Sequence, residues 1–165
     1  MKALSLSFLF MISLCLAANT TPQENVSLER YLGRWYEQAR YENWFEKGME
    51  EVYTDYTQGP DSSINVLNSG ISTNKVSEHS TGRAFRVSNG ILEVSFVWPY
   101  WWFRAPYHIL YVDDSYSAAL VSGADDQYLW LLTRQKKADR KTLQRLLKEV
   151  KLRGFDTTKL RFTKQ

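Results

Sequence analysis

Between Trp35 and Arg134 the chain is written as eight short stretches of alternating apolar and polar residues, each closed off by turn residues. They read "WYEQARY", "EEVYTDYTQ", "INVLNSG", "TGRAFRV", "ILEVSFVW", "YHILYVDD", "YSAALVSG" and "YLWLLTR", with "GPDSS" and "SNG" among the turns between them. Alternation at period two puts successive side chains on opposite faces of a strand. The connections are short enough for each strand to pair antiparallel with the next. A meander of this kind removes its exposed edges by closing on itself. The expectation is therefore an all-β chain, an eight-stranded antiparallel up-and-down β-barrel.

The period then changes. Leu143, Leu146, Leu147 and Val150 recur at helical spacing, with Arg140, Lys141, Arg145, Lys148 and Lys151 mostly off that stripe. Asp139 is placed to cap the helix and Gly154 to stop it. One amphipathic C-terminal α-helix should thus lie on the barrel wall, and "KLRFTK" offers a last strand. No linker divides the segment, so residues 28–165 form one domain.

Lys2 is followed by the apolar run "LSLSFLFMISLCLA", short for a bilayer-spanning helix and typical of a secretory signal peptide. Small residues at Cys15 and Ala17 place cleavage after Ala17. Residues 18–27, "ANTTPQENVS", read as a loose leader, with candidate glycosylation triplets at Asn19 and Asn25. Cys15 allows an alternative, a lipid-anchored outer-membrane lipoprotein, although Leu14 stands where a lipobox holds a small residue. With cleavage after Ala17 no cysteine remains, and the core alone must hold the exported protein together. No later apolar stretch is long enough to span a bilayer.

Charge is uneven. From Arg134 to Gln165 there are 12 Lys and Arg against 3 Asp and Glu, whereas residues 18–133 have 8 against 15. A basic tail beside an acidic body implies an intramolecular match, or contact with anionic lipid headgroups. The basic residues form no nucleic-acid reading module. Catalytic signals are few. His79 and His108 lie in different segments, and no G-x-S-x-G, H-E-x-x-H or P-loop occurs. The pairs Asp113-Asp114 and Asp125-Asp126 fall in expected tight turns, which aspartate favours for backbone reasons. The chain reads as a non-enzyme, with no cofactor and no metal site.

Three blocks carry a family likeness. "Gly33-Arg-Trp35-Tyr36" resembles the G-x-W signature of the lipocalins, "YVDDSYSAALVSG" their second block, and "YLWLLTR", ending at Arg134, their third. "RYLGRWYEQARY" and "ALVSGADDQYLWLLTR" are most similar to the bacterial outer-membrane, apolipoprotein D-like members. The likeness runs from about Ser27 to the C-terminus. It implies that Gly33, Trp35 and Arg134 are structural, with the Arg134 guanidinium over the Trp35 ring. It also implies a cavity for a fatty acid or a lysophospholipid, and a role in maintaining envelope lipid. Two other classes stay open: a lipid-directed enzyme on the same fold, and a structural or host-interaction envelope protein without a ligand. The oligomer is expected to be a monomer or a homodimer.

Strand parity gives the expected lining. With Trp35 inward, Glu37 and Ala39 follow, then Val52, Thr54 and Tyr56, then Leu92, Val94 and Phe96, and Trp130 and Leu132. On the sixth strand the family likeness favours His108, Leu110 and Val112. An inward Glu37 needs a partner, and the expected one is an interior arginine, such as Arg83 or Arg86 if either faces inward, with a ligand headgroup the alternative. Finally, "FVWPYWWFR" holds Trp98, Trp101 and Trp102 after Pro99 stops the strand. With Trp44, Phe45 and Met49 of the first loop, these residues are expected to form an aromatic lip over bound lipid. That lip could also touch a membrane surface.

Overall fold

A computed structural model describes residues 17–96 and 104–165. A short helix, α1 (Leu28–Tyr31), leads into eight strands: β1 (Gly33–Tyr41), β2 (Glu50–Gln58), β3 (Ile64–Ile71), β4 (Ser77–Ser88), β5 (Ile91–Ser95), β6 (Ala105–Val112), β7 (Ala118–Ser122) and β8 (Leu129–Thr133). Helix α2 (Arg140–Leu152), a 3₁₀ turn at Thr157–Lys159 and a short strand β9 (Leu160–Phe162) complete the chain. The eight strands pair antiparallel in sequence order, and β1 closes the ring by pairing with both β8 and β2. The closed eight-stranded barrel with one C-terminal helix agrees with the strand pattern.

Closure rests on a division of labour along β1. One edge pairs with β8, from Tyr36 opposite Thr133 to Arg40 opposite Trp130. The other pairs with β2 only from Gly33 to Tyr36, and then with β9 from Ala39 to Tyr41. The chain after β9 fills the space between them. Thr163 N–H donates to Gln38 O (3.0 Å), and Gln165 Nε2 donates to both Glu37 O (2.6 Å) and Val52 O (2.7 Å).

A β-bulge interrupts β1 between Glu37 and Ala39. It exchanges inward and outward positions. Trp35 and Glu37 face in, Ala39 and Tyr41 face out toward α2, and Arg40 turns to the Glu37 side. Ala39 was expected inward, and the bulge is why it is not. A second bulge, between Ile109 and Tyr111, does the same on β6.

Two apolar layers result. Inside are Trp35, Tyr56, Val66, Leu92, Ile109 and Val112 among others. Between wall and helix, Leu146 and Val150 of α2 meet Leu110, Leu120 and Leu131. Asp139 caps the helix by accepting from Thr142 N–H (2.8 Å). Gly154, at φ +81°, ends it in a Schellman turn, with Gly154 N–H to Lys151 O and Phe155 N–H to Val150 O. The basic tail does pair with the acidic body: Lys136 meets Glu51, Arg145 meets Asp113, and Arg161 meets Glu42 and Glu50.

Residues 18–27 are held rather than loose. Asn19 N–H donates to Arg153 O, the Arg153 guanidinium donates back to Asn19 O, and Gln23 bonds the backbone of Ile109 and Val112. Val26 is buried in the inner layer. The leader runs along the edge of β6 beyond the stretch that β5 pairs, where backbone groups of Ile109 and Val112 would otherwise lack these partners.

The narrow end is locked. The Arg134 guanidinium lies 4.0 Å from the Trp35 ring centroid and donates to the carbonyls of Arg30, Leu32, Arg34 and Tyr116. The indole N–H of Trp35 donates to Tyr31 O (2.8 Å). Gly33 sits at φ +97°, and a Cβ there would stand 3.1 Å from Arg134 Nη1. Replacing Trp35 with Ala should cost about 3–5 kcal/mol, read as a fall in the urea midpoint at unchanged slope.

Candidate ligand cavity

The barrel interior holds an inner chamber of about 120 Å³ and an outer one of about 560 Å³ that share Phe45, Glu46, Val52, Val94 and Phe96 among their walls. The outer volume alone falls in the usual range for small-molecule sites. The floor is a chain of hydroxyls: Tyr107 lies 2.8 Å from Tyr31 and 2.9 Å from Tyr56, oxygen to oxygen. Burial pushes Tyr31 and Tyr107 well above the ordinary phenol range and Tyr56 to about 12, so all three stay neutral at physiological pH. Val66, Val94 and Leu132 supply apolar walls above them.

A polar band lies along the chambers, with Glu37 on the wall of the inner one and Glu46 on the walls of both. Arg40, fully buried, meets Glu37 Oε1 at 2.5 Å and Glu46 O at 2.6 Å. Thr163 Oγ1 also donates to Glu37 Oε1. Burial, followed by repulsion from Glu46, raises the Glu37 carboxyl to about 7, against the pull of Arg40 and Thr163. Glu46, on the β1–β2 loop, accepts from Trp130 Nε1 (2.9 Å) and Asn43 Nδ2 (2.6 Å). The mouth is aromatic. Trp44 is 83% exposed, and Phe45, Tyr128 and Trp130 stack in a row with centroids 6.2 and 5.9 Å apart.

The structure brings together Val52, Thr54, Tyr56, Val94, Phe96, Trp130 and Leu132 on the cavity wall, with Trp44, Phe45 and Met49 around the mouth. Two expected lining residues point elsewhere. His108 and Leu110 face outward: His108 Nδ1 lies 3.2 Å from Thr20 O of the leader, and Leu110 packs under α2. Tyr107 and Ile109 hold the inward positions, and the β6 bulge returns Val112 inward. Glu37 has its arginine, but the partner is Arg40 of the same strand rather than Arg83 or Arg86, again because of a bulge. Trp98, Trp101 and Trp102 lie outside the described residues, between Phe96 and Arg104, both of which line the outer chamber.

The aspartate pairs serve turns. Asp113 accepts from Ser117 N–H and Oγ and from Ala118 N–H, and Asp125 accepts from Gln127 N–H. Sequence reasoning missed Val66, Asn68, Tyr107 and Glu46. The first three sat on strands whose parity had been left open or misread. Glu46 sits in a loop, where alternation carries no signal.

The family model for a lipocalin-like domain matches residues 26–165. The outer membrane lipoprotein Blc of Vibrio cholerae is 38% identical over 149 residues, covering 87% of this chain and 85% of that protein. Apolipoprotein D of Macaca fascicularis is 28% identical over 152 residues, covering 87% and 79%. Among solved structures, the cockroach allergen Per a 4 superposes with a TM-score of 0.72 at 18% identity, over 88% of this chain and 92% of that one, a likeness of fold.

The raised Glu37 has a measurable consequence. Below about pH 4.5 the carboxyl is protonated folded and unfolded, whereas from there to about 7 only the folded state keeps the proton. Its contribution to stability therefore falls as pH rises through that window and levels off above it. The unfolding free energy from urea titration should decline between about pH 5 and pH 8, by about 1–3 kcal/mol, and Glu37→Gln should flatten that decline. The buried Asp113 carboxylate, lowered overall by its hydrogen bonds and Arg145 against the effect of burial, acts only at more acid pH.

Proposed function

The chain belongs to the lipocalin family, whose members bind small hydrophobic ligands, and we propose that its barrel carries a single-chain lipid amphiphile, a fatty acid or a lysophospholipid, in maintenance of envelope lipid. The observation that carries this reading is the pair of joined chambers, apolar-walled and open at one end, above a floor locked by Trp35 and Arg134. Val52, Tyr56, Val94, Phe96 and Trp130 are the proposed chain contacts. Trp98, Trp101 and Trp102, in the connection between Phe96 and Arg104, are the proposed lip.

The position of the leader supports export to a membrane periphery. Ala18 N lies 3.3 Å from Asp126 Oδ2, on the β7–β8 loop at the mouth end, beside the stack of Phe45 on Tyr128. Cleavage after Ala17 would put the new α-ammonium against that carboxylate. An acyl anchor on Cys15 would instead leave about 10 Å of chain between the bilayer and the mouth. The anchored route would face the aromatic rim toward lipid. The relatives named outer membrane lipoprotein favour the anchored form. Mass measurement of the denatured mature protein separates the two: a chain starting at Ala18, or one starting at Cys15 with added acyl mass.

Titration with lauroyl lysophosphatidylcholine and with laurate should show micromolar or tighter uptake. Val94→Trp, which fills the cavity, should weaken it about tenfold or more with little change in the urea midpoint. Absence of uptake by the wild type contradicts the carrier reading. Replacing Trp98, Trp101 and Trp102 together with Ser should also weaken uptake while the barrel stays folded. Unfolding of that variant would mark the cluster as core.

A further inference from the structure

The polar band along the chambers carries unequal charge. Two carboxylates, Glu37 and Glu46, reach the cavity wall. The guanidinium nearest them does not: Arg40 is absent from the wall, buried behind Glu37 and spent on Glu37 Oε1, Glu42 Oε1 and the carbonyls of Glu46 and Met49. A ligand group entering the band therefore meets carboxylate oxygen and cannot reach the arginine.

Glu46 is fixed and only half used. Asn43 clamps it twice, accepting from Glu46 N–H (2.8 Å) and donating to Oε2 (2.6 Å), and Trp130 Nε1 donates to the same Oε2 (2.9 Å). No hydrogen bond or ion pair among the described residues uses Oε1. The side chain is 9% exposed and borders both chambers. Phe45 borders both chambers as well, and Trp130 the inner one. A carboxylate held against aromatic rings in a partly enclosed cavity is a fitting environment for a cation, which gains from both the charge and the ring faces.

We propose that this band is a subsite for an ammonium group, with Glu46 as its anion and Phe45 and Trp130 as its walls, and that the carboxylate head of a fatty acid stays outside the subsite while its chain occupies the barrel. The proposal rests on the carrier reading and narrows it. The preferred ligand is a single-chain amphiphile with a positively charged head, zwitterionic heads included. A plain fatty acid would have to hold its carboxylate at the outer rim, where His79 and Arg104, the latter paired with Glu93, lie on the same wall as Glu78.

The test compares ligands of one chain length at about pH 8: dodecyltrimethylammonium, dodecylammonium, dodecanol and dodecanoate, each displacing the neutral fluorescent probe N-phenyl-1-naphthylamine. Both ammonium compounds should bind about tenfold tighter than dodecanol, and dodecanoate more weakly than dodecanol. Glu46→Gln should abolish the preference for ammonium over dodecanol, whatever it does to binding of both, whereas Glu46→Asp, which keeps the charge, should retain it. Equal binding of ammonium and alcohol by the wild type overturns the proposal, as does a preference that survives Glu46→Gln. If none of the four displaces the probe, the carrier reading fails and takes the subsite with it. A wild-type measurement guards against misfolded variants. Nuclear Overhauser contacts from the N-methyl protons to the rings of Phe45 and Trp130 support the subsite, and contacts confined to the outer rim overturn it.

Discussion

Strand β1 has to serve two neighbours on one edge, and the interior follows from how it does so. It pairs with β2 only as far as Tyr36, after which the two strands part and β9 takes the vacated edge. At that point a one-residue bulge brings Glu37 and Arg40 to the same side, where each is the other's partner in a nearly water-free place. A buried ion pair is poor evidence of stability, because desolvation offsets much of its attraction. Here it sits where three segments meet: β1, the β1–β2 loop through Glu46 and Met49, and the C-terminal tail through Thr163. Breaking it from one side would strand a charge among all three. The same cluster sets a charged level part-way up the cavity, between the tyrosine hydroxyls of the floor and the polar residues Glu78, His79 and Arg104 of the outer wall.

The two ends of the barrel are built for opposite purposes. At the narrow end Arg134 spreads over the Trp35 ring and collects carbonyls that α1 and its following turn leave unpaired. That arrangement converts orphan backbone acceptors into a plug, with a cation–π contact worth about 0.5–2 kcal/mol added. At the wide end large aromatic side chains stay exposed, Trp44 and Phe45 above all. Apolar surface left in the open at a cavity mouth is a liability in water and an asset at a lipid boundary. The leader, pinned along β6 from Ala18 at the mouth to Val26 near the floor, makes the position of the N-terminus part of that polarity.

Much of this was legible in the sequence because it is periodic. Period two marked all eight barrel strands, and period 3.6 with Asp139 and Gly154 marked α2. The G-x-W block and Arg134 fixed the floor. What could not be read is whatever breaks a period. The bulges on β1 and β6 reversed parity for Ala39 and for the choice between Tyr107 and His108, and no residue at either bulge advertises it. The partner of Glu37 was hidden by the first of these. The leader looked loose because its composition is polar, yet its contacts are mainly backbone contacts, which composition does not encode. Glu46 belongs to a loop and gains its role only from Asn43 and Trp130 folding around it.

A lipid carrier purified gently should not come out empty. Native mass spectrometry of the protein taken from cells that export it asks this most directly, since it reads folded chain and bound molecule in one spectrum. The expected result is a population heavier than the bare chain by the mass of one single-chain amphiphile, released on denaturation. A spectrum of bare chain alone, unchanged after incubation with lysophospholipid, would contradict the carrier reading.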